Sequence, residues 1–143
     1  MAAGQRLKYE QYIDSWEEAG YEVTISNFFD QYTYSILYQK HHYLAKLLGI
    51  FRGFLLRFQT LFILRSYDLV YIHMWVTPIG TNLFERMYRL LSKKIIYDIE
   101  DFVILKKNSF DTFREFFSSK IRSRNKFFFL IKHSDHVITS APD

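Results

Sequence analysis

Three carboxylates, Asp98, Glu100 and Asp101, crowd the end of one short apolar run. That run, Lys94-Ile-Ile-Tyr-Asp98, opens on the lysine pair at 93 and 94. A carboxyl group beside other carboxyl groups holds its proton more tightly, and serves as a base or as an acceptor for a substrate hydroxyl. Acids do not remain unpaired in a strand buried on both faces, so these belong where the strand leaves the core. In an open α/β sheet the carboxyl ends of the strands are where ligands bind. Alternation along a strand places Asp98 and Glu100 on one side and Asp101 on the other. Any one of the three would serve as well as a helix cap or as the partner of a lysine. His73 closes a second apolar run at the same sheet edge. There it suits a hydrogen bond to a ligand hydroxyl, or a purely structural one.

The elements that must position these residues follow from periodicity. Leu7, Tyr9, Tyr12, Ile13 and Trp16 recur at helical spacing over 6–19, and Gly20 is a natural stop. Tyr21 to Ser26 alternates and is rich in β-branched residues, which predicts a strand. Residues 31–40 favour a short helix. Tyr67-Asp-Leu-Val-Tyr-Ile-His73, Lys94 to Asp98 and His136-Val-Ile-Thr139 read as further strands. Helices are expected over 82–91 and, for the most part, over 110–133. Strands alternating with helices predict a parallel sheet of the Rossmann-like α/β class.

The segment from Leu44 to Leu64 is long enough to span a bilayer, but Lys46, Arg52 and Arg57 interrupt it. On a helical wheel Leu44, Leu47, Phe51, Phe54, Leu55, Phe58 and Phe62 share one face, with Lys46 and Arg57 opposite. The expectation is an amphipathic helix that turns the apolar face to the core. The alternative is a helix that also touches a membrane surface, which its basic and aromatic residues suit.

Composition narrows the classes. The chain has 143 residues, enough for one domain with a core, and 49% of them are hydrophobic, which excludes general disorder. With no Cys, disulfides, thiol catalysis and Cys-based zinc sites are excluded. His41 and His42 are adjacent and poorly placed to share an ion, so no protein-bound metal is expected. The net charge of +4 suits an anionic partner, or simply a solvated basic surface. Lys120, Arg122, Arg124 and Lys126 form no single stripe on a helix, and no nucleic-acid motif accompanies them, so nucleic acid is not expected as a partner.

The ordered series Gly4-Gln-Arg6, Tyr9-Glu-Gln-Tyr12, Gly20-Tyr-Glu-Val23, Tyr67 to His73, Pro78-Ile-Gly80, Lys94 to Asp98 and Ser134-Asp-His-Val-Ile138 resembles the N-terminal domain of a GT-B type glycosyltransferase of family 4. The resemblance covers nearly the whole chain. It implies two Rossmann-like domains across a cleft, the first holding the acceptor and the second most of the nucleotide-sugar donor. It further implies hexosyl transfer with retained anomeric configuration, for a cell-surface or capsular glycan. The setting would be the cytoplasm, peripherally at the inner face of a membrane. The donor is then a substrate of the intact enzyme, and no cofactor is bound by this chain.

Within that frame Gly4 would let the backbone approach the leaving diphosphate, and Arg6 would add a charge-assisted contact. The backbone amides of the Pro78–Gly80 turn would face a glycan or lipid-linked acceptor. The sequence departs from the pattern at both ends. It lacks the apolar strand that normally precedes the Gly-rich loop, and the donor half has no counterpart. Residues 1–143 are therefore expected to be a single acceptor-binding domain, a fragment that is inactive alone. Its strands at 22–26 and 69–73 would expose edges open to self-association. A non-catalytic membrane-surface or protein-binding α/β module is the competing reading.

Overall fold

The computed structural model describes residues 10–37, 39–99 and 124–139. Gly4, Arg6, Glu100, Asp101 and most of the 110–133 helix expectation lie outside them. The chain forms two compact units, Met1–Gly53 and Phe54–Asp143.

In the first unit a 3-10 turn, Glu10–Tyr12, leads into helix α1, Ile13–Glu18. Gly20 ends it at φ +91, a left-handed conformation that glycine adopts without a Cβ penalty. Residues 21–27 then run without a ladder. The strand expected at Tyr21–Ser26 is therefore not formed. Its alternation is a local property, whereas a strand also needs a neighbour to take its amides and carbonyls.

Helix α2, Gln31–Ile36, is capped by Asp30, whose Oδ1 accepts from the Thr33 amide at 2.7 Å. That backbone bond, and then Arg52 beside it, hold the Asp30 carboxyl below its ordinary range. Helix α3, Tyr43–Ile63, begins in this unit, where its part up to Gly53 packs through glycines, and its remainder belongs to the second unit. A Cβ on Gly49 would stand 2.3 Å from Thr33 Cγ2, and one on Gly53 would stand 2.7 Å from the Phe28 carbonyl oxygen. Only hydrogen at these positions permits the approach.

The second unit is built on a three-stranded parallel sheet, β1 (Val70–His73), β2 (Ile95–Ile99) and β3 (His136–Thr139), in that order. Val70 faces Ile95, His73 faces Asp98, and Asp98 faces Ile138. Helix α4, Leu83–Leu91, connects β1 to β2, and α5, Arg124–His133, precedes β3. One sheet face carries Ile72, Ile95 and Tyr97 into a core with Leu61, Leu64, Val76, Tyr88, Phe127 and Leu130. Ile95 and Tyr97 are wholly buried, each contributing roughly 2–3 kcal/mol through burial. The α/β class with a parallel sheet is thus present.

Asp135 locks the start of β3 to the central strand. Its Oδ2 accepts from the Ile95 amide at 2.7 Å, and its own amide donates to the Ile95 carbonyl at 2.9 Å. The Ile95 bond is the main reason its carboxyl is held below the ordinary range, with Arg89 adding attraction. A depressed folded value means that the stabilisation is present above the unfolded value and is lost as pH falls through the folded one. Urea unfolding of the wild type should therefore lose midpoint as pH drops below about 4, and Asp135→Asn should flatten that dependence. An unchanged slope in the variant would refute the assignment.

The wheel face of α3 is turned the other way from the core expectation. Leu44, Leu47, Phe51, Leu55, Phe58 and Phe62 are exposed, Phe54 at the edge of that face is half-buried against Phe84, and Arg57, expected on the solvent side, is buried with Leu61. The small residues Gly49 and Gly53 let the opposite side approach its neighbours, and Arg57 finds a buried partner there.

Candidate functional site

The site lies at the carboxyl edge of the second unit's sheet. Strand alternation puts Tyr71, His73 and Asp98 on the face opposite the apolar core, and the parallel register sets His73 directly beside Asp98. Asp98 is 1% exposed. The Tyr71 hydroxyl donates to its Oδ2, and His73 Nδ1 lies 3.4 Å from the same oxygen. A carboxylate facing Nδ1 favours the tautomer that carries its proton there and leaves Nε2 as the acceptor. His73 keeps 17% side-chain exposure and Tyr71 is also partly exposed, whereas Asp98 is buried beneath them. Asp98 acts through its neighbours.

The chain leaves β1 through a strained residue. Met74 has φ +66, and its amide donates to the Asp98 carbonyl at 2.9 Å. Its carbonyl accepts from the Tyr97 hydroxyl at 3.0 Å. Burial, reinforced by the charges of Glu85 and Asp98, pushes the Tyr97 phenol upward, so it stays a donor. Left-handed backbone at a non-glycine residue costs about 1–3 kcal/mol and persists only where surrounding bonds over-determine it, as these do.

The loop from Val76 to Gly80 is clamped by two inward-facing cations. Arg57 Nε donates to the Val76 carbonyl at 2.7 Å. Lys126 Nζ donates to the Thr77 carbonyl at 2.6 Å, to Thr77 Oγ1 at 2.7 Å and to the Ile79 carbonyl at 3.0 Å, which uses all three ammonium protons. Glu85 Oε1 lies 3.6 Å from Lys126 Nζ and accepts from the Thr77 amide at 3.3 Å. Both side chains are almost wholly buried. Desolvation pushes the Glu85 carboxyl up and the Lys126 ammonium down, while their mutual attraction opposes both shifts. The neutralising pressure is burial, and the three acceptors around Lys126 hold its charge in place.

Among the expected site residues, the structure brings His73 and Asp98 together. Pro78 and Gly80 sit in the clamped loop, and Gly80 takes φ +89. Pro78 has no N–H to offer, and the Thr77 amide is already used by Glu85, which narrows the amide donors expected of this turn. Tyr71, Glu85 and Lys126 were not singled out by sequence reasoning. Lys126 sits in a basic run that reads as solvated, and Glu85 looks like any first-turn helix acid. Among the described residues no cluster of three metal-ligating side chains occurs. Comparison with protein-family models, with curated proteins and with solved structures found no match.

Proposed function

We propose that the chain is the acceptor-side half of a nucleotide-sugar-dependent glycosyltransferase of the GT-B type, with a Rossmann-like sheet. One observation carries the reading: a partly exposed His73 facing a buried Asp98 at the carboxyl edge of a parallel sheet. Acceptor activation needs a group that takes a hydrogen bond from a sugar hydroxyl while a second group fixes its orientation. His73 supplies the first, and Asp98 with Tyr71 supplies the second. The Val76–Gly80 loop that follows, held by Arg57 and Lys126, gives the acceptor a wall. The donor half comes from a separate domain, and the nucleotide sugar is that assembly's substrate.

Saturation-transfer NMR with short oligosaccharides and polyprenyl-phosphate-linked sugars tests this reading. The expected result is saccharide binding by the 143-residue chain, with no sugar transfer from nucleotide sugars. Absence of saccharide binding, or turnover by the chain alone, would overturn it.

A further inference from the structure

We propose that the exposed face of α3 docks on the surface of an anionic lipid bilayer. Six large apolar side chains at helical spacing, Leu44, Leu47, Phe51, Leu55, Phe58 and Phe62, line one side of this helix in solvent. Leu44 is 76% exposed, and Leu47 and Phe51 are each 67% exposed. A continuous apolar stripe of this length on a single helix marks an interaction surface.

Charge identifies the occupant. Between Asp30 and Asp68 the chain carries Lys40, Lys46, Arg52, Arg57 and Arg65 and no carboxylate. Lys40 and Arg65, just outside the two ends of the helix, are exposed, whereas Arg52 is paired with Asp30, and Arg57 and Lys46 donate to backbone carbonyls. A second protein surface would need matching carboxylates. A leaflet of anionic headgroups over acyl chains meets both the cations and the apolar stripe.

The structure also decides between lying on the bilayer and crossing it. Tyr43–Ser66 is long and apolar enough to cross by length and composition. Its other side, however, is committed to protein. Arg57 donates to the Val76 carbonyl, and Leu61 and Leu64 are core residues of the sheet unit. Spanning would strip these contacts and leave Arg57 in hydrocarbon. The helix therefore lies in the interface, with one side on protein and the other on lipid.

Vesicle co-sedimentation of the full chain tests this. Phosphatidylcholine vesicles containing phosphatidylglycerol should bind the protein, more tightly than phosphatidylcholine alone, and alkaline carbonate should release it. The double variant Leu47→Glu/Phe51→Glu should bind at least about tenfold more weakly while keeping the wild-type circular dichroism, because both side chains are exposed. Phe51→Trp should retain binding and show a blue-shifted emission on the anionic vesicles. Failure to bind, unchanged binding by the double variant, or resistance to carbonate would overturn the proposal. So would a self-associated wild type that the double variant makes monomeric without any vesicle binding. None of these outcomes bears on saccharide binding at His73.

Discussion

Lys126→Met should destabilise the second unit by about 3–5 kcal/mol, the range found when one partner of a buried ion pair is removed. The variant leaves Glu85 charged and buried, and strips a donor from the Thr77 and Ile79 carbonyls. Glu85 Oε2 already has no hydrogen-bond partner among the described residues, so Thr77, at 3.3–3.4 Å from Oε1, is what remains to offset the lost charge. The sign with pH is also fixed. With the lysine gone, the folded Glu85 value rises further above the unfolded one, so the folded state binds the extra proton. The defect of Lys126→Met should shrink as pH falls toward about 4–5 and grow toward neutrality. Replacing both partners, Glu85→Leu with Lys126→Met, should recover part of the stability, because no uncompensated charge remains. Urea denaturation of the three proteins at two pH values measures all of this. A single variant within about 1 kcal/mol of wild type would show that the clamp contributes little.

The clamp also marks the limit of what the sequence reveals. The central strand was legible because burial on both sides leaves a nearly continuous apolar run, as in Ile95 to Ile99, whereas the partly buried β1 and the mostly exposed β3 were legible from their short β-branched and aromatic runs. The stop of α1 at Gly20 and the short helix at Gln31–Ile36 were legible from local rules. Strand 21–26 was misread because alternation does not report whether a ladder partner exists. Helix α3 was located well, but its orientation was inverted. A wheel shows which residues share a side and cannot show which side meets the protein. The available signal was the Gly49–Gly53 pair opposite the aromatic stripe, four residues apart, where a backbone can approach closely. Lys126 carried no signal at all, because a lysine within a basic run looks solvated until a loop folds its carbonyls around it.

Asp98→Asn and Asp98→Leu should separate the two roles of the carboxylate at the sheet edge. Asparagine keeps an oxygen for the Tyr71 hydroxyl and approximates the shape, so its stability should fall by no more than about 1–2 kcal/mol. Leucine leaves the Tyr71 hydroxyl without that acceptor, and its loss should reach about 2–4 kcal/mol. The functional readout runs differently. Tyr71 and His73 Nδ1 face the same Asp98 oxygen, so asparagine keeps that acceptor and removes only the negative charge that favours a proton on Nδ1. Saccharide binding by Asp98→Asn should therefore drop by about tenfold, matching His73→Ala, even though the fold is retained. A double variant carrying both changes should be no worse than His73→Ala alone, since Asp98 acts through His73. Additive losses in that cycle would mean that Asp98 touches the ligand directly, which would require its buried side chain to become accessible on binding. Equal affinity of Asp98→Asn and wild type would leave the carboxylate a structural partner of Tyr71 and move the acceptor site away from this edge.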